Sequence, residues 1–159
     1  MDPSDAGARY DLGLVLADLN NPTEARQEFR KAIALDPTMA LAYNALGLSY
    51  KKEGRVSEAV GAFQKAIHIN PQFAEAKNNL GTLYASIGEK DKAAVLFKEA
   101  IEDSPEYAVA YLNWGLLLAN GGDLNGAREM FETALRLSPN LVEARKNLEI
   151  LEEALKRHN

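Results

Sequence analysis

The sequence predicts an all-α protein, a right-handed α-solenoid of four helix-turn-helix repeats closed by a C-terminal capping helix, and three observations lead there. Five of the six prolines, Pro3, Pro37, Pro71, Pro105 and Pro139, follow one another at intervals of 34 residues with no insertion or deletion. Between them, apolar residues recur three and four positions apart, the spacing of one helix face. Near the middle of each interval stands a residue suited to the left-handed conformation, Asn20, Gly54, Gly88 or Gly122. A fixed period of this kind means one supersecondary unit copied along the chain, stacked because no unit can bury its apolar face alone.

The chain reads as a single domain over 1–159, with units at 6–39, 40–73, 74–107 and 108–141. In the first half of each unit, Leu12, Leu46, Leu80 and Trp114 form one column and Gly13, Gly47, Gly81 and Gly115 the next, with Leu16, Tyr50, Tyr84 and Leu118 three residues later. The second half repeats Ala25, Ala59, Ala93 and Ala127, then Phe29, Phe63, Phe97 and Phe131, then Ala32, Ala66, Ala100 and Ala134. These spacings predict first helices over 6–19, 41–53, 75–87 and 109–120, and second helices over 24–35, 58–69, 92–103 and 126–137. Thr23, Ser57, Asp91 and Asn125 have N-cap chemistry and are expected to open the second helices. The prolines stop them, because the residue before proline is pushed out of the helical region.

Glycine in mid-helix costs about 0.5–1 kcal/mol against alanine, so a recurring glycine column needs a packing reason. Close approach of the paired helices is that reason, with the Ala25, Ala59, Ala93 and Ala127 column as the expected opposing surface. The last helix, expected over 142–157, carries an apolar stripe of Ala144, Leu148, Leu151 and Leu155 against charged residues elsewhere. Glu149 stands where the glycine column would continue, which marks a cap. At the other end Asp2-Pro3 keeps the frame of the later repeat ends, as if another unit had ended there. The chain thus reads as a stretch of a longer array or as one lacking an N-terminal cap. Val15 and its neighbours then form an open edge suited to homo-oligomers.

Composition narrows the function. With 47% hydrophobic and 26% charged residues spread evenly, the chain is ordinary for a globular domain. A net charge of −5 opposes the electrostatics of nucleic-acid binding. No apolar run approaches the roughly 20 residues of a membrane helix, and the N-terminus lacks a secretory pattern, so a cytoplasmic chain is expected unless a leader has been trimmed. Zero cysteines exclude thiolate chemistry. His68 and His158 lie too far apart for one metal site, and the run from Asp123 to Gly126 lacks the ligands of a calcium loop. No catalytic constellation, cofactor or metal is expected. The phenylalanine column and Trp114 read as repeat core rather than a stacking platform.

These residues resemble the tetratricopeptide repeat proteins, whose pattern the second unit carries as Tyr43, Leu46, Gly47, Tyr50, Ala59, Phe63, Ala66 and Pro71. Arg9 and Lys77 depart from the leading aromatic, and Leu16 and Leu118 from the tyrosine. The resemblance implies a concave groove lined by first helices, a role in holding other proteins, and no catalysis. The implied groove residues are Tyr10, Leu14, Leu41, Asn44, Leu48, Lys52, Asn78, Asn79, Thr82, Leu112, Asn113, Leu116 and Asn147, and the same groove draws on Asp11, Asp18, Lys51, Glu75, Val109 and Asn120.

Leu14, Leu48 and Leu116 recur in one groove column where a solvated face should be polar. Asn79, Asn113 and Asn147 are spaced by 34 and are similar to the asparagine ladder of O-GlcNAc transferases, in which amides grip a peptide backbone. Their recurrence is equally the family's column preference. The family's clamp for Hsp70 and Hsp90 tails uses lysine, arginine and asparagine, but here Tyr10, Leu14, Glu75 and Asn79 hold those columns, so chaperone-tail binding is not expected. The chain is expected to bind a peptide segment of a partner protein. The alternatives are a self-assembly module or the regulatory arm of a larger protein.

Overall fold

A computed structural model describes residues 5–158, with side chains for 5–156; Pro3 and the side chain of His158 lie outside the described residues. Every described element is an α-helix. The order is α1 (Ala6–Asp18), α2 (Pro22–Leu35), α3 (Ala40–Lys52), α4 (Val56–Ile69), α5 (Ala74–Ser86), α6 (Lys90–Asp103), α7 (Ala108–Asn120), α8 (Leu124–Leu137) and α9 (Val142–His158). Helices pair within a unit, and each unit stacks on the next. Successive first helices also touch one another, α1 on α3 through to α7 on α9, while successive second helices do not. The stack therefore curves with its first helices on the shorter, inner side.

The turn inside each unit explains the left-handed column. Asn20, Gly54, Gly88 and Gly122 have φ of 58°, 72°, 84° and 87°. The N–H groups of the residues after them donate to Leu16, Tyr50, Tyr84 and Leu118 carbonyls at 2.9–3.0 Å, closing each first helix as a Schellman motif. This geometry corrects the expected N-caps. The second helices begin two residues earlier than predicted, at Pro22, Val56, Lys90 and Leu124, so Thr23, Ser57, Asp91 and Asn125 lie within the first turn. The cap positions are Asn21, Arg55, Glu89 and Asp123, of which only Asp123 accepts a side-chain cap bond, from Gly126 N–H at 2.9 Å.

The glycine column has the close approach expected of it, but against a different partner. A β-carbon on Gly13, Gly47, Gly81 or Gly115 would stand 2.5–2.7 Å from a ring carbon of Phe29, Phe63, Phe97 or Phe131, and the alanine column is buried beside this contact. The phenylalanines are the largest buried apolar side chains of the core. Where the leading aromatic is missing, ion pairs fill its column. Arg9 meets Glu28 at 3.0 Å, and the buried Lys77 meets Asp103 at 2.6 Å. Bonds from Lys31 and Arg9 outweigh the opposing effect of burial and hold the Glu28 carboxyl below its usual range, the Lys31 hydrogen bond being the largest influence.

At the C-terminal end, α9 buries Ala144 and Leu151 while Glu149 faces solvent, as a cap requires. At the other end Val15 is 54% exposed, whereas its counterparts Ser49, Leu83 and Leu151 are buried and Leu117 is half-buried.

Candidate functional site

Two pockets indent the inner side. The first, of about 140 Å³, is lined by Leu14, Ala17, Pro22 and Phe29 of the first unit and by Ala45, Leu48, Ser49 and Lys52 of the second. The other, of about 290 Å³, is lined by Thr82, Ala85, Lys90 and Phe97 of the third and by Asn113, Leu116, Leu117 and Asn120 of the fourth. Every lining residue of one has its counterpart in the other two 34-residue periods away. The pockets are therefore the same structural site, built once at each outer junction. Each has a phenylalanine in its wall and one lysine on its rim, Lys52 in the first and Lys90 in the second.

The middle junction has the same columns but different chemistry. Where the outer junctions have Ala17 and Ala85, it has Lys51; where they have Leu48 and Leu116 from the following unit, it has Thr82. The Lys51 ammonium donates to Thr82 Oγ1 at 2.6 Å, and Thr82 in turn donates to the Asn79 carbonyl at 2.8 Å. Burial pushes the Lys51 pKa down. Lys52 donates to Asn20 Oδ1 at 2.9 Å, and Lys90 reaches the Asn120 carbonyl at 3.5 Å. None of these three lysines forms an ion pair among the described residues.

The structure sorts the expected groove residues into two groups. Leu14, Leu41 and Leu48 are exposed, and Lys52, Thr82, Asn113 and Leu116 join Leu14 and Leu48 around the pockets. The column of Tyr10, Asn44, Asn78 and Leu112 is instead withdrawn from the surface. Asn44, Asn78 and Leu112 are buried, and Tyr10 packs on Phe29 with ring centroids 5.9 Å apart. Burial, then the charges of Glu75 and Asp11, raises the Tyr10 pKa. The reason lies in the stacking, because this column points at the following repeat rather than along the open face.

That stacking also engages the asparagine ladder. Asn79 Nδ2 donates to Asn44 Oδ1 at 3.0 Å, and Asn113 Nδ2 donates to Asn78 Oδ1 at 2.9 Å, each reaching back one repeat. Asn44 passes the chain on to Glu75 at 3.3 Å. Asn147 faces Leu112 in register, which has no acceptor, and it makes no hydrogen bond among the described residues. Each donating amide spends its nitrogen on holding repeats together, while the Oδ1 atoms of Asn79 and Asn113 accept no hydrogen bond among the described residues.

Sequence reasoning missed Pro22, Lys90, Ala17 and Ala85 as pocket residues. The alanines stand three positions after the groove column of Leu14 and Thr82, a helical neighbour spacing, and so were within reach of it. Pro22 and Lys90 open second helices and had no groove-side signal. A larger apolar hollow of about 420 Å³ lies on the outer side, between α4 and α6 over Leu80 and Tyr84. Among the described residues no cluster of metal-ligating side chains occurs, and no helix is long and apolar enough to cross a membrane.

Tetratricopeptide repeat models match residues 44–108 and 108–141, and a TPR repeat model matches residues 16–54. Among solved structures, MamA is 31% identical with a TM-score of 0.76, over 89% of this chain and 83% of that one. Pseudomonas aeruginosa pilF is 27% identical with a TM-score of 0.90, over 96% of this chain and 69% of that one. The first TPR of Spaghetti (RPAP3), solved bound to the HSP90 peptide SRMEEVD, is 26% identical with a TM-score of 0.71, over 76% of this chain and 96% of that one. No curated protein matches.

Proposed function

Because the chain belongs to the tetratricopeptide repeat family, whose fold is a protein-protein interaction scaffold, we propose that it holds a peptide segment of a partner protein against its inner face, without catalysis. The observation that carries this reading is the exposed leucine column. Leu14 and Leu48 remain 39% and 40% exposed on the concave side, beside a pocket, with Leu116 beside its counterpart. Exposed leucines at a recurring inward column supply apolar anchors, and burial of such anchors is where interface energy concentrates.

A carboxylate clamp for a chaperone tail has little support here. Tyr10 is packed on the core, Asn79 is tied to Asn44, and Glu75 brings a negative charge to the same face. The occupant is accordingly a different kind of segment from the one bound to Spaghetti.

The test is a pull-down from native lysate with the parent chain and the Leu48→Glu/Leu116→Glu variant. The parent is expected to retain a partner that the variant loses, while circular dichroism melts coincide. Equal capture by both folded proteins would remove the inner face from function. A second reading, self-assembly through the N-terminal edge, is favoured by Val15 and Leu19, 54% and 72% exposed on α1. Light scattering over a dilution series checks it, a constant monomer mass excluding it.

A further inference from the structure

From the two equivalent pockets and the lysine between them, we infer that the groove selects an extended acidic segment carrying two apolar side chains six residues apart, with a carboxylate between them. This rests on the peptide-groove reading and adds to it the chemistry of the occupant. The outer junctions share an apolar floor of Ala17, Phe29 and Leu48 in one and Ala85, Phe97 and Leu116 in the other, while their remaining lining positions differ in chemistry. Between them the Ala-to-Lys and Leu-to-Thr replacements come as a hydrogen-bonded pair, Lys51 on Thr82. The groove therefore presents apolar, cationic and apolar stations in sequence.

The spacing follows from helix packing. Neighbouring packed helices lie about 8–10 Å apart, so two steps along the inner side span about 16–20 Å. An extended peptide rises about 3.3 Å per residue, which makes that span five or six residues. Side chains alternate in such a peptide, so two anchors facing the same wall need an even separation, and six is the one that fits. A residue two or four positions after the first anchor shares that face and meets the middle station.

Charge selects what stands there. Lys51, Lys52 and Lys90 lie along one side of the groove without a carboxylate partner, on a chain whose net charge is −5. Glu75 lies toward the opposite end of these helices, where it accepts from Asn44. Lys51 is half-buried, its ammonium already disfavoured by desolvation, and a ligand carboxylate compensates that loss of solvent.

The experiment selects a phage-displayed library of random twelve-residue peptides on the full chain, then titrates a labelled consensus peptide by fluorescence anisotropy. Enriched sequences are expected to carry apolar residues at i and i+6 and Asp or Glu at i+2 or i+4. Changing that acid to its amide is expected to weaken binding five- to tenfold for the parent and less than twofold for Lys51→Met. Melting curves establish that the variant folds. SRMEEVD, with its apolar residues only three apart, is expected to compete at least tenfold less well. Peptides that need Leu48 and Leu116 but show another spacing or no acid would overturn this inference and leave the groove reading standing. So would an equal acid effect in Lys51→Met, or SRMEEVD competing as well as the consensus. Failure to enrich any peptide dependent on Leu48 and Leu116 would overturn both.

Discussion

Inside each unit, the glycine of the first helix meets the phenylalanine of the second in nearly the same way four times, with 2.5–2.7 Å from the missing β-carbon to the ring. On the inner face the columns change from unit to unit: Ala17 becomes Lys51 and returns to Ala85, and Leu48 becomes Thr82 and returns to Leu116. The two regions answer to different constraints. The helix pair has to keep one distance so that every unit stacks identically, and a one-methylene change in such a contact is felt. The inner face has only to stay folded, so its residues are free to diverge toward a ligand. A repeat protein thus separates its frame from its specificity by column rather than by region of the chain.

The strongest way to break this contrast is at the frame. Phe63→Ala empties the centre of the second unit and is expected to cost about 3–5 kcal/mol by denaturant unfolding. A loss no greater than at the inner-face Leu48→Ala would erase the distinction. Gly81→Leu drives a side chain into the Phe97 ring and is expected to cost about 1–3 kcal/mol. A thermal midpoint equal to the parent's would refute the close pairing of α5 and α6. The smallest effect sharpens the boundary between the regions. Asn113→Ala removes the bond to the buried Asn78 and is expected to cost about 1 kcal/mol, whereas Asn147→Ala, with no such partner, stays within about 0.5 kcal/mol. Equal effects would mean that the amide column acts on neither neighbour.

The frame was legible in the sequence because its chemistry repeats. Four phenylalanines and four glycines at one period mark their helices without help from any single unit, and the first helices lie within one residue of expectation. The second helices start early because the Schellman turn, not the side-chain cap, decides where the chain re-enters a helix. Thr23 and Ser57 carry cap chemistry at positions the backbone had already passed. The inner face was legible only in part. Leu14, Leu48 and Leu116 announce themselves as apolar residues at an inward column, but Asn44, Asn78 and Leu112 occupy a column that stacking turns into the junction. Rotation about a helix axis can be read from periodicity, while the seal made by the next unit belongs to the superhelix. Lys90 reaches the pocket from the start of a second helix, and nothing local in its sequence points there.

The pattern of contacts has a consequence for how the molecule opens. Among the described residues no helix touches another more than two places away along the chain. Structure can therefore grow from any junction without first closing a long loop, which favours rapid folding. It also means that protection of backbone amides from solvent exchange should be graded along the chain rather than uniform. Amides at the centre of the stack open last, because both of their neighbours have to leave first. The amides of α1, where Val15 is exposed, are expected to exchange before those of the central helices.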